Sequence, residues 1–448
     1  MSSSNNDTMN YYFVLGSYTI IFLFLTYYCM IANPSKSRLS YLLTIYLPYW
    51  IKTSVLYKLF GKTVTTWIIQ NIGNRLLSLF YLVMVLGSWS VIFFYTYPWI
   101  DEASAASSEN SHTISQNHKY IGYVVFLACT ISWYVASQSS PGVITSDNIE
   151  VYNVYPYDGL MFVEGRICPT TNILKLARSK YDRYTSQHIS KFDHYCGWIQ
   201  NPVGERNYRW FLLFLLIQVG MCLYGSYVLG YLLLVHEVQK YNLYGRTFFH
   251  RVTGEEFPAT TKIVLQYLFH KYQLQSCVFL LLGIASLTLL PFLLWHCYIA
   301  SCGTTTNESV KWKQVHKWYN IELQRYHENE YNNTKEDNSS NKNDGDEDYV
   351  MITKDNNDNT ITAKDTAERM TNTTLVRDDA MEEENDDNDV TSKTIFHPGP
   401  KPKNIYNYGF IQNWKDIFFP RSIQKEKTLQ QTKRESSSYN NNNKTKSS

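Results

Sequence analysis

Between residues 140 and 210 the chain gathers its densest set of reactive side chains: Arg178, Ser179, His188, Asp193, His194, Cys196 and Trp198. Within FDHYCGW, Asp193, His194 and Cys196 fall inside four residues. A cysteine becomes a useful nucleophile when an imidazole takes its proton and a carboxylate orients and charges that imidazole. Lys191, Arg206 and Arg209 stand close by in sequence and would favour thiolate over thiol. His and Cys are also the usual zinc ligands, so spacing alone leaves nucleophile and metal ligand level. Location separates them. A thiol just ahead of an apolar span, beside Trp198, is placed to meet a lipid chain and a water-soluble carrier together.

The elements that must position this loop are membrane helices. A spanning helix needs about 20 mostly apolar residues, and five stretches qualify: 11–32, 76–100, 120–138, 211–235 and 278–300. The first ten residues hold no basic cluster, so the first span reads as an anchor rather than a removable signal. The mean hydropathy of −0.29 conceals these runs by averaging them with a polar tail. Tyr (37) and Trp (11) are abundant, as expected of side chains that settle at membrane interfaces. A net charge of +2 argues against a nucleic-acid binder, and 8 cysteines in 448 residues make no disulfide scaffold.

Loop charge predicts orientation. Residues 33–75 hold Lys36, Arg38, Lys52, Lys58, Lys62 and Arg75 without an acid, whereas Asp101, Glu102 and Glu109 follow the second span. The 33–75 loop is therefore expected in the cytosol, with the 140–210 loop and the C-terminus on the same side. The basic residues of loop 236–275 run against the rule, which weakens in long loops. Pro48 and Lys52 break the stretch 42–60, which is expected to lie on the bilayer face.

The motifs RICPTTNILKLARSKYDRYTSQHISKFDHYCGWIQNPVGERNYRWF, TTNE after the last span and NIYNYGF near the end resemble the DHHC protein S-acyltransferases. Cys168, Lys175, Ala177, Arg178, Ser179, Asp193, His194, Cys196, Trp198, Asn201, Gly204, Asn207 and Tyr208 match the family pattern. Thr305, Thr306, Asn307 and Glu308 match its TTxE motif. YPYDGLMF, opening the loop, and Asn404 with Tyr406 look like the fungal subgroup that palmitoylates endosomal SNAREs.

The resemblance implies an acyl-Cys196 intermediate, formed from palmitoyl-CoA with His194 as base and Asp193 orienting it. It places Trp198 at the acyl entrance and Thr306 and Glu308 as braces of the loop. Arg178, Lys175 and Lys180 would meet either CoA phosphates or lipid headgroups. Gly220, Gly225 and Gly230 leave room for an acyl chain or serve ordinary helix packing. His296, at the cytosolic end of the fifth span, is a functional candidate that an interfacial position would also explain.

Apart from Leu176, which stands at a Pro position, the departures from the pattern fall on zinc ligands. Thr171, Tyr181, Asp182, Thr185, Tyr195 and Pro202 stand where the family has ligands, and His188 stands at a Cys position. One site keeps Cys168 and His188 and the other keeps nothing, whereas a structural zinc takes four ligands. No structural zinc is expected.

The expected fold is an all-α polytopic membrane protein. Residues 1–140 hold three spans, 141–210 the zinc-ligand-depleted catalytic loop, and 211–300 two more spans. The TTxE motif and a juxtamembrane helix occupy 301–326, a disordered acidic insert 327–393, and a docked motif with a polar tail 394–448. By the same resemblance, the expected function is palmitoylation of SNAREs and other integral membrane proteins in the endoplasmic reticulum, with Golgi or endosomal membranes as alternatives. The alternative is an inactive scaffold or chaperone for the same clients. A channel is disfavoured, since no span centre carries a charge.

Overall fold

Long apolar runs inside a bilayer must satisfy their own backbone hydrogen bonds, which makes them helices. The structure is a computed structural model that describes residues 46–68, 74–105, 114–249, 254–340 and 397–446. Among these, four helices are long and apolar enough to cross a membrane: Arg75–Ala105, Asn117–Gln138, Tyr208–Lys240 and Gln273–Ser301. They coincide with the second to fifth expected spans. The first expected span, 11–32, lies outside the described residues.

Two compact units divide the chain, Met1–Phe80 and Tyr81–Ser448. In the first, helix α1 (Tyr57–Ile68) is broken at Gly61, whose φ of 74° suits a residue without a side chain. Tyr49, Trp50, Leu59 and Phe60 are exposed on this unit, the kind of surface expected of a segment lying on a bilayer.

Helix α2 (Asn74–Val91) runs into the second unit and continues through a π-helical turn into α3 (Tyr97–Ala105). Helices α4 (Asn117–Gln138), α5 (Tyr208–Tyr231), α6 (Thr261–Lys271) and α7 (Gln273–Ser301) follow. Close packing between α5 and α7 uses two of the span glycines. A Cβ at Gly225 would sit 2.7 Å from Leu282 Cδ1, and one at Gly230 would sit 3.0 Å from Phe279 Cε2. Gly220 faces open space instead.

The loop between α4 and α5 departs from the all-α expectation. Strands β1 (Val143–Ile144), β2 (Lys180–Asp182) and β3 (Gln187–Ile189) form an antiparallel sheet in the order β1-β3-β2. Strands β4 (His194–Cys196) and β5 (Asn201–Val203) form a hairpin pairing His194 with Val203 and Cys196 with Asn201. A distal hairpin, β6 (Thr247–Phe249) and β7 (Glu256–Pro258), lies beyond α5.

Helix α8 (Thr306–Ser340) overruns the expected boundary at 326, with an Arg325–Glu322 pair 3.4 Å apart on its surface. Residues 341–396, most of the expected insert, lie outside the described residues. Helices α9 (Phe410–Phe418) and α10 (Arg421–Lys446) complete the fold, so the polar tail is helical where no periodic apolar face predicted it.

Candidate active site

A strand points successive side chains to opposite faces. His194 and Cys196 therefore share one face of β4, and Tyr195 takes the other. On the first face, Cys196 is 6% exposed within an apolar cluster that includes Phe211, Leu212 and Leu215 of α5 and Leu293 of α7. The thiol thus sits where the loop meets the spanning helices. Trp198 follows it, half-exposed, and its carbonyl accepts from Trp133 Nε1 of α4 at 3.2 Å.

His194 Nδ1 lies 2.6 Å from Asp193 Oδ2, with the Asp193 side chain wholly buried and that of His194 25% exposed. Asp193 is held in turn from α8. The Thr306 backbone N–H donates to Oδ1 at 2.7 Å and its hydroxyl donates to Oδ2 at 2.9 Å. Burial opposes a charge on His194, but hydrogen bonds to Asp193 and Cys196 outweigh it and push its pKa up to about 10. Burial opposes the Asp193 charge too, yet its bond to His194 and the Thr306 amide hold it below the usual carboxylate range. The pair can accept a proton, which is the chemistry that activating a neighbouring thiol requires.

Arg178 takes a different place from the one expected. Arg178 is 2% exposed and paired with Glu308, away from any surface that a phosphate would reach. It also donates to the Gly303 carbonyl at 3.0 Å and stacks its guanidinium 4.5 Å from the Tyr406 ring centroid. Lys175, half-buried, acts electrostatically on both Cys168 and His188. Lys180 Nζ donates to Asn307 Oδ1 at 3.1 Å. Thr305 binds the Phe192 carbonyl through its hydroxyl at 3.1 Å, beside the reactive strand.

The C-terminal motif closes round this bracket. Tyr406 is 1% exposed and donates to the Pro156 carbonyl at 2.9 Å, while Asn404 Nδ2 donates to the Cys302 carbonyl at 3.1 Å. A side chain at Gly303, where φ is 64°, would strike the Tyr406 backbone. Arg206 and Arg209 also belong to this docking rather than to the thiol. Arg206 pairs with Glu426 at 2.6 Å, and Arg209 Nη1 donates to the Phe418 carbonyl at 2.6 Å. Glu205, unremarked in the sequence, accepts from Ser190 at 2.6 Å and from the Ser422 amide at 2.9 Å.

The positions of the expected zinc ligands carry other side chains here. Asp182 Oδ2 accepts from the Thr185 amide at 3.1 Å and its hydroxyl at 2.7 Å, and Oδ1 from the Tyr184 amide at 3.4 Å. Tyr195, on the outer face of β4, stacks on Tyr184 with centroids 4.5 Å apart. The Pro202 carbonyl is taken by Asn207 Nδ2 at 2.8 Å. This set offers neither sulfur nor imidazole. Cys168 and His188 are both buried, but two ligands do not make a tetrahedral site. Neither belongs to a group of three candidate ligands among the described residues, and both His188 ring nitrogens lack a hydrogen-bond partner. Burial, followed by the charge of Lys175, pushes the His188 pKa down to about 4.

Residues 161–313, which contain the hairpin and Thr306, match the family model described as DHHC palmitoyltransferase. The chain carries a DHHC-family domain. It is 34% identical over 207 residues to palmitoyltransferase SWF1 of Yarrowia lipolytica, covering 45% of this chain and 52% of that protein. Palmitoyltransferase swf1 of Schizosaccharomyces pombe is 33% identical over 202 residues, 44% of this chain and 52% of the relative. Palmitoyltransferase ZDHHC4 of Mus musculus is 31% identical over 202 residues, 44% of this chain and 57% of the relative. The chain thus spans about half the length of the curated relatives it matches. In this DHHC-family domain the motif reads Asp-His-Tyr-Cys, and Tyr195 replaces a residue on the strand face turned away from Cys196.

Proposed function

We propose that this chain is a protein S-palmitoyltransferase that carries the acyl group on Cys196. One observation bears most of the weight: the buried Asp193–His194 pair shares a strand with Cys196, which lies in the apolar cluster of the spans. His194 takes the Cys196 proton, and the thiolate attacks the thioester carbonyl of palmitoyl-CoA. The carbon–sulfur bond to CoA breaks, and the CoA thiolate leaves with the proton that His194 took, which returns His194 to its neutral form. A client cysteine then attacks acyl-Cys196 after giving its proton to His194, and Cys196 is released to begin again. Both products are thioesters, so concentrations set the direction of exchange. Each buried methylene of the chain contributes about 0.8 kcal/mol to holding it among the helices.

The clients are cysteines at the cytosolic edge of integral membrane proteins, single-span SNAREs among them, and the compartment is the endoplasmic reticulum. Cytosolic placement of the catalytic loop and the C-terminus follows from the basic residues of 33–75 and the acids after the second span. The loop folds without structural zinc, a reading supported by the hydrogen-bonded Asp182–Thr185 turn and the Tyr184–Tyr195 stack in place of ligands.

The test is to incubate the purified full chain in detergent with an alkyne-bearing palmitoyl-CoA analogue, alongside Cys196→Ser. A hydroxylamine-labile label on wild type, lost in the variant, is expected. A well-folded wild type that takes no label would leave the scaffold reading in its place.

A further inference from the structure

A histidine inside the 29-residue apolar helix α7 is costly unless its nitrogens find partners. His296 is 1% exposed, and its Nδ1 lies 3.1 Å from the hydroxyl of Tyr208, the first residue of α5. Tyr208 Oη is also 3.4 Å from the His296 carbonyl, so the two helices are tied at this level. Phe211 and Phe292 stand edge-on to the imidazole with centroids 5.0 and 4.6 Å away, leaving it little room to swing.

The ring also adjoins the proposed base. The His296 and His194 centroids are 5.7 Å apart. One nitrogen of each ring and one Asp193 oxygen lie within 4.8 Å of one another. His194 is bonded to Asp193 and to Cys196, and the rings around it limit how far it can tip about those bonds. Phe211 limits that tilt on one side, edge-on at 5.2 Å, and His296 stands on another.

We propose that His296 is a positioning residue for acyl transfer: anchored by Tyr208, it holds the Asp193–His194 pair in register with Cys196. The inference rests on the acyl-transfer reading above. Packing alone would be served by any ring of similar size. An imidazole adds a polar nitrogen beside the Asp193 carboxylate, within 4.8 Å of one of its oxygens. Phenylalanine at 296 would keep the shape and lose that nitrogen, whereas glutamine would keep a polar end and lose the ring.

The test uses the purified full chain as wild type, His296→Phe, His296→Gln and Tyr208→Phe. Two quantities are measured: the rate of iodoacetamide alkylation at Cys196, followed by mass spectrometry, and single-turnover acylation by palmitoyl-CoA. For His296→Phe, both rates are expected to fall about tenfold or more, with the palmitoyl-CoA concentration at half-saturation changed less than about twofold. His296→Gln recovers part of the rate, and Tyr208→Phe, which removes the partner of Nδ1, falls between.

Wild-type rates in both assays for His296→Phe would overturn the proposal. So would a change confined to half-saturation, which would place His296 against the donor instead. If His296→Phe fails to fold, Tyr208→Phe decides, and normal alkylation there overturns the proposal. Alkylation needs no acyl donor. Failure of the acyltransferase reading therefore appears as ready alkylation of Cys196 without acylation, while the comparison of variants still tests His296.

Discussion

Arg178 and Glu308, 130 residues apart in sequence, meet in a bidentate pair in which each side chain is 2% exposed. Arg178 has φ 63°, a conformation few side-chain-bearing residues adopt, so the turn itself is shaped to deliver the guanidinium. Glu308 also accepts from the Thr305 amide at 3.0 Å, which fixes the start of α8. The same helix start presents Thr306 to Asp193, so the ion pair sets the height of the Asp193 carboxylate.

Removing one partner of a buried pair leaves a bare charge, which typically costs about 3–5 kcal/mol. Glu308→Ala is therefore expected to lower the detergent unfolding temperature well below that of wild type. Arg178→Lys should rescue little, because an ammonium cannot span both carboxylate oxygens and the Gly303 carbonyl in one plane. Thermal unfolding of the two variants beside wild type checks both expectations, and a full rescue by lysine would mean charge alone suffices.

Thr306 and Asp193 give a second prediction, on rate rather than stability. Asp193→Asn removes the charge that supports His194, and acylation of Cys196 is expected to slow by about a hundredfold or more. Thr306→Val keeps the shape and the backbone donor to Oδ1 but loses the bond to Oδ2. A smaller loss, about tenfold, is expected from one such bond. Single-turnover labelling with palmitoyl-CoA measures both, and equal losses in the two variants would mean the hydroxyl matters as much as the charge.

The candidate trio could be picked out because a four-residue window is a local property of the chain. Asp193, His194 and Cys196 could be singled out without knowing the fold. The four described spans were legible for the same reason: charge-free runs are read directly along the sequence. Partners supplied from afar were not. Arg206 and Arg209 read as electrostatic support for the thiol, yet their partners lie 220 and 209 residues downstream on α10 and α9. His296 read equally well as an interfacial residue, because nothing in α7 reveals that β4 packs against it. The helical course of 327–340 and of α10 was hidden by composition, since polar helices carry no apolar stripe.

His188 carries the pH prediction. Burial holds its folded pKa at about 4, below the ordinary value near 6.5. A group whose folded pKa is depressed takes up protons more readily in the unfolded chain. Its contribution is complete above the unfolded value and is lost as pH falls from about 6.5 towards 4, by about 3 kcal/mol in all. The unfolding temperature should therefore drop across that window, and His188→Phe should flatten this part of the profile. Phenylalanine also removes two buried nitrogens without partners, so this variant is expected to match or exceed wild type at pH 7. A large loss of stability at pH 7 would instead indicate that those nitrogens hold a ligand.

Asp182 and Thr185 bear on how the loop stays folded at positions where relatives of its motif pattern would be expected to hold a metal. The carboxylate gathers two amides and a hydroxyl into one turn, closing the link between β2 and β3 much as a capping residue closes a helix end. Tyr184, inside that turn, stacks on Tyr195 and so ties it to the outer face of the reactive strand. Deleting the carboxylate with Asp182→Ala is expected to cost about 1–2 kcal/mol, and Asp182→Asn less, because its remaining oxygen still accepts. The loss should reach the chemistry through Tyr195, slowing acylation while the spanning helices stay intact by circular dichroism. A strong chelator should leave the unfolding temperature and the acylation rate of wild type unchanged, since hydrogen bonds and ring packing close this turn. Metal analysis of the purified chain makes the same point independently: near-stoichiometric zinc that the chelator removes, with the loop unfolding as it leaves, would show that the turn is not self-sufficient.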